Sequence, residues 1–123
     1  MATLSPAPTT LSASNPRNPD AVQLPNGNIV LAWSIWSGSK SSIAYAVLNG
    51  GLGIVKGPTP LPNISSMDDN YVSVTRSRDR AVLTWLNSFG AFSGQPSFLH
   101  YTLLDGSGNI VTPPMIFFSN CAG

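Results

Sequence analysis

The chain writes one ending three times. "LSPAPTTL" (Leu4 to Leu11), "IVKGPTPL" (Ile54 to Leu61) and "IVTPPMIF" (Ile110 to Phe117) align without a gap, with Pro8, Pro58 and Pro114 at one shared position and Leu11, Leu61 and Phe117 at another. Self-similarity of this kind restricts a fold more than composition does, because each copy has to be one supersecondary unit that covers its neighbour.

The text upstream of the second and third endings repeats as well. "DAVQLPNGNIVLAW" is matched by "NYVSVTRSRDRAVLTW", with two more residues assigned to the second turn. "SIAYAVLNGGLGIVKGP" is matched by "FLHYTLLDGSGNIVTPP", without a gap from Tyr45 and Tyr101 onward. The endings lie 50 and then 56 residues apart, and the added length falls in two loops, where insertions cost little.

Each unit reads as four strand-like runs. They are a (Ala21 to Leu24; Tyr71 to Thr75), b (Ile29 to Trp36; Ala81 to Asn87), c (Ile43 to Leu48; Phe98 to Leu104) and d, the ending itself. Asn26-Gly27 suits an a–b hairpin turn, and Asn49-Gly50 and Asp105-Gly106 suit the c–d turns, since such pairs tolerate positive φ. Proline removes ladder donors, which places d at a sheet edge. Charged residues make up only 9% of the chain against roughly a quarter in ordinary domains, glutamate is absent, and Gly and Pro contribute 11 each. A chain so poor in helix formers and so rich in turn residues is expected to be all-β.

Strand b chooses among all-β architectures. Ile29, Leu31, Trp33 and Ile35 alternate with Val30, Ala32 and Trp36, and in strand c Ile43, Tyr45 and Val47 alternate with Ala44, Ala46 and Leu48. Both faces are apolar, whereas an antiparallel sheet with one wet face alternates apolar with polar. Small four-stranded sheets covered on both sides by copies of themselves describe β-propeller blades. The pattern "NGNIVLAW…IAYAVLNGGLGIVKGP" resembles the propeller-type repeats of bacterial secreted and cell-surface proteins, over residues 4 to 120. That resemblance implies a fold and a repeat class but no particular activity. The expectation is one domain over 1–123, with a spare strand at 4–11, a first blade over about 20–61 and a second over about 70–118.

A net charge of +1 predicts no steering towards nucleic acid, and no apolar run approaches the length of a membrane span. No signal pattern follows Met1, and the lone Cys121 excludes an internal disulfide. A neutral surface of Ser, Thr and Asn points to an extracellular or cell-surface setting.

No motif for catalysis, metal or cofactor stands out. "DGSGN" at Asp105 to Asn109 copies the start of a calcium loop, but Ile110 and Ile116 stand where glycine and a bidentate glutamate are needed, so a plain turn is expected. His100 has no second histidine or nearby cysteine to share a metal with, and the five aspartates form no convincing acid–base pair. Arg76, Arg78 and Arg80 read as a solvated hairpin, and "NIS" at Asn63 is a glycosylation sequon. Trp33 and Trp85, like Tyr45 and Tyr101, recur at matched strand positions and are expected in the core.

Function is expected on the loops that differ between copies. The b–c and d–a loops share one face of a propeller, which would gather Trp36, Lys40, Asp68, Asn70, Phe89, Phe92 and Gln95. Aromatic and amide groups together suit a carbohydrate or protein ligand, so the chain reads as a binding module and not an enzyme. The alternative is a structural segment of a larger surface protein. Two blades fall short of the four to eight or so that close a propeller. The chain is therefore expected to self-associate or to adjoin further blades, three copies giving six and four giving eight.

Overall fold

A computed structural model describes residues 16–36, 40–63, 67–88 and 97–120. The chain is all-β, without a helix among those residues. Eight strands run β1 (Arg17–Gln23), β2 (Ile29–Trp36), β3 (Ser41–Leu48), β4 (Ile54–Pro60), β5 (Asp68–Ser77), β6 (Arg80–Ser88), β7 (Ser97–Leu104) and β8 (Ile110–Asn120). They form two four-stranded antiparallel sheets, β1-β2-β3-β4 and β5-β6-β7-β8, each a meander of hairpins. The proline-bearing strands β4 and β8 are edges, as their missing donors require. The expected spare strand at 4–11 lies outside the described residues, and no described helix is long and apolar enough to cross a membrane.

The two sheets are built alike. Tyr45 faces Thr59, Val47 faces Lys56 and Leu48 faces Ile54, while Tyr101 faces Met115, Leu103 faces Thr112 and Leu104 faces Ile110; the two register shifts of the first hairpin recur in the second, which has a third between Leu99 and His100. The a–b hairpins also agree. Between Arg17 and Asp20 in β1, and between Asn70 and Ser73 in β5, one extra residue opposes the partner strand. These bulges carry Asn18 (φ 52°) and Tyr71 (φ 59°) in the left-handed region.

That geometry moves two expected boundaries. Strand a begins earlier than the apolar residues suggest, at Arg17 and Asp68, because polar residues ahead of each bulge still pair with strand b. The second a–b turn is also shorter than the alignment implied: Ser77 pairs with Arg80, leaving Arg78-Asp79 as a two-residue turn with Arg78 at φ 58°. Arg76 and Ser77, opposite Ala81 and Arg80, add two rungs to the solvated hairpin expected there.

Three turns share one construction. In residues 24–28, 49–53 and 105–109 the first N–H donates to the fifth carbonyl and the fourth N–H donates to the first, at 2.8 and 2.9 Å, 2.8 and 2.9 Å, and 2.9 and 3.1 Å respectively. The fourth residue carries the positive φ that closes such a loop: Gly27 at 90°, Leu52 at 67° and Gly108 at 87°. In both c–d turns positive φ therefore falls at the fourth position and not at Gly50 or Gly106. Asp105 accepts from the N–H groups of Ser107 and Asn109, which holds its carboxyl below the usual range and spends it on its own turn.

The core lies between the sheets. Val30, Ala32, Ile43, Tyr45 and Val47 of the first meet Val72, Val74, Ala81, Leu83, Trp85 and Leu104 of the second. The opposite face of the first sheet holds a smaller cluster, Trp33, Ala44 and Ala46, with Leu31 and Ile35 against it. Both tryptophans matched in sequence are thus buried, Trp85 edge-on to His100 with ring centroids 6.1 Å apart. Polar contacts pin the second c–d turn to the first sheet: the Tyr45 hydroxyl donates to the Gly108 carbonyl at 2.8 Å, and Asn28 Nδ2 donates to that of Gly106 at 2.7 Å.

Gly108 is the tightest point of this contact. A Cβ there would stand 2.6 Å from Val47 Cγ2, on a residue already at φ 87°. Gly108→Ala is expected to lower stability by about 2–4 kcal/mol, from backbone strain plus overpacking. Urea titration followed by tryptophan fluorescence checks this through a lower midpoint at unchanged slope.

Candidate functional site

Both bulges open on one cleft. It has a volume of about 610 Å³ and is lined by Arg17 and Asn18 of β1, Trp36 and Ser41 at the facing ends of β2 and β3, and Asp68, Asn70 and Tyr71 of β5. Alternation puts Trp36 on the same face of β2 as Val30 and Ala32, so the cleft is the mouth of the gap between the sheets. A bulge re-aims side chains that regular pairing would send to alternate faces. Here it supplies two neighbouring residues from each sheet, Arg17-Asn18 and Asn70-Tyr71, to a single concavity.

The walls are braced by hydrogen bonds. Arg17 Nη2 donates to Ser41 Oγ at 3.0 Å, and its guanidinium carbon stands 6.0 Å from the centre of the Trp36 ring. The Ser34 hydroxyl donates to the Arg17 carbonyl at 3.2 Å. The Ser41 N–H donates to Asp68 Oδ1 at 2.9 Å, joining the sheets across the cleft floor. Deeper in, the Val74 N–H donates to Asp20 Oδ2 at 2.8 Å and ties β5 to β1. Trp36 and Tyr71 keep 37% and 62% of their surface exposed, so two aromatic faces remain available beside amide and carboxylate groups.

Behind Asp68 lies a different carboxyl. Asp69 is 1% exposed, accepts from Asn87 Nδ2 at 2.6 Å, and is pushed up to about 6, chiefly by burial. The Asn87 bond, the nearby Trp85 indole N–H and the Lys40 ammonium oppose that shift. Trp85 Nε1 reaches no acceptor at full hydrogen-bond geometry. His100 is also buried, and burial holds its imidazole below the usual range. Both groups sit in the core and not in the cleft. No cluster of three His, Cys, Asp or Glu side chains suited to a metal occurs among the described residues.

Of the residues expected at a site, Trp36, Asp68 and Asn70 converge on the cleft. Lys40 is not part of its lining; it is half-buried and acts on Asp69. Phe89, Phe92 and Gln95 lie outside the described residues. Sequence reasoning missed Arg17, Asn18, Ser41 and Tyr71. Arg17 and Asn18 stand in the proline-flanked "NPRNPD", which has no apolar alternation to mark it as strand. The available signal was the polar residue pair ahead of each strand a. Comparison of the chain with protein-family models, with curated proteins and with solved structures finds no match.

Asp69 gives the fold a pH dependence of definite sign. Between its unfolded value near 3.8 and about 6, the folded chain keeps a proton that the unfolded chain releases, so its contribution to stability falls as pH rises through that window. His100 acts oppositely, destabilising the fold as acid protonates the unfolded imidazole first. The difference between wild type and Asp69→Asn isolates the carboxyl. The variant is expected to gain stability relative to wild type from pH 4 to pH 7, by up to about 3 kcal/mol, as read by urea midpoints at the two pH values. A constant difference would contradict the assignment.

Proposed function

We propose that the chain is a binding module whose two sheets are two blades of a β-propeller, and that the cleft between them takes a carbohydrate. The observation that carries this reading is the convergence of two bulges, each with a non-glycine residue at positive φ, on one concavity with two exposed aromatic rings. Strained backbone of this kind is retained where it serves a site. A sugar presents an apolar ring face for stacking and hydroxyls for paired hydrogen bonds. Trp36 and Tyr71 supply the first complement; Asn18, Asn70, Asp68 and the Arg17 guanidinium supply the second.

Binding without turnover is the consistent form of this reading. Asp69, whose raised pKa would suit a general acid, is buried and bonded to Asn87, away from any cleft ligand. The blade reading is supported by the matched registers of the two sheets and by the apolar character of both faces of the first. A protein ligand held by the same groups is the second reading; Phe89, Phe92 and Gln95, which the sequence suggests for it, lie outside the described residues. If neither is bound, the chain is a structural segment of a larger assembly in an extracellular or cell-surface setting.

A glycan array probed with the full chain tests the reading. Binding to a defined set of glycans is expected, with Trp36→Ala and Arg17→Ala each weakening it about 10-fold or more at unchanged circular dichroism. Signal that survives both substitutions would move the site elsewhere. No glycan signal, with retention of peptides on a peptide array, would favour the protein ligand.

A further inference from the structure

We propose that the outer face of the second sheet is a docking surface for a second copy of this chain, whose Asn49–Gly53 turn enters it with Leu52 seated in an apolar pocket. The inference rests on the blade reading and is independent of the ligand. The pocket has a volume of about 210 Å³ and is lined by Val82, Thr84, Tyr101 and Leu103.

The chain itself shows what covers such a face. By strand register the four lining residues stand where the first sheet has Val30, Ala32, Tyr45 and Val47, which the second sheet buries to 1% exposure or less. The element that reaches Tyr45 and Val47 there is the turn at 105–109. Its Gly108 carbonyl accepts from the Tyr45 hydroxyl, and its α-carbon lies against the Val47 methyl. The corresponding turn on the first sheet is 49–53. It repeats the same pair of backbone hydrogen bonds and puts Leu52 at φ 67° where Gly108 stands at 87°.

A Cβ on Gly108 would run into Val47. With the same turn geometry, the half-buried side chain of Leu52 leaves its own turn in that same direction. Leucine in this region is held against its backbone preference. On the second sheet's outer face Leu103 stands where Val47 does and the shorter Thr112 where Lys56 does, so the Lys56 methylene that a Gly108 Cβ would approach to 3.2 Å has no counterpart there. Within the chain the turn that meets Lys56 carries glycine, and the turn offered to a second copy, where threonine replaces lysine, carries leucine. On the same outer face of the first sheet Leu31 and Ile35 flank Trp33, at the register positions that on the second sheet hold the Leu83 and Trp85 face covering the first sheet. The contact is heterologous, each copy offering a turn at one end and a pocket at the other, so copies add head to tail until the ring closes.

Sedimentation velocity on the full chain across micromolar concentrations tests this, with circular dichroism as a check on folding. Wild type is expected to assemble. Leu52→Asp and Leu103→Asp should each be monomeric, yet an equimolar mixture should give a 1:1 dimer and nothing larger, because it contains one intact turn and one intact pocket. Leu52→Gly relieves the backbone and should weaken assembly by about 10–100-fold, the loss of one buried leucine side chain, without lowering the melting temperature of the monomer. A wild-type chain that stays monomeric with both sheets folded would overturn the docking while leaving glycan binding at the cleft intact. Assembly by Leu52→Gly at wild-type strength would overturn it as well.

Discussion

Tyr45 is buried between the two sheets, and the rest of the structure depends on how its face is covered. Its ring belongs to the apolar layer of the first sheet, its hydroxyl is satisfied by the Gly108 carbonyl, and Lys56 Nζ lies 5.5 Å from the ring centre while also donating to that carbonyl. A buried phenol needs such a partner, because an unsatisfied hydroxyl costs about 1–3 kcal/mol. The partner is a carbonyl on a turn of the other sheet. Packing and hydrogen bonding thus set the same distance between the sheets.

Everything at the cleft follows from that spacing. With the sheets in contact along β1, β2, β3 and β5, the bulged ends of β1 and β5 come side by side. Regular strands would alternate inward and outward there. The added residue in each turns Arg17-Asn18 and Asn70-Tyr71 towards one another, and the Ser41–Asp68 bond fixes the floor beneath them. The buried Asp69 is the cost of this arrangement: it follows Asp68 on the strand, so placing one carboxylate at the cleft drives the next into the core, where Asn87 meets it.

Much of the fold was legible in the sequence because hairpins with an apolar face announce themselves. Strand β2 was found at its full extent from alternation alone, and β3, β4 and β7 nearly so. Strands β1 and β5 were found only in part. Residues such as Asn18, Pro19 and Arg76 have no burial to mark them, and pairing with a neighbour is a tertiary fact. The a–b alignment failed for the same reason, since a polar run reads as a loop whether or not it forms an exposed ladder. At the site, Trp36, Asp68 and Asn70 were legible from loop position. Arg17 and Tyr71 were not, because a bulge leaves no periodicity to read. Leu52 was invisible as well: the positive φ that sets it apart belongs to the fourth position of its turn, two residues after the Asn49-Gly50 pair.

Because the two sheets share one core, they are expected to open as a single cooperative unit. Native-state hydrogen exchange measures this most directly, because amides that open only together report one free energy. The slowest amides of β2 and β3 and those of β6 and β7 are expected to exchange with the same stability, and Gly108→Ala to lower both sets equally. Two distinct plateaus, with the substitution affecting the second sheet alone, would contradict it.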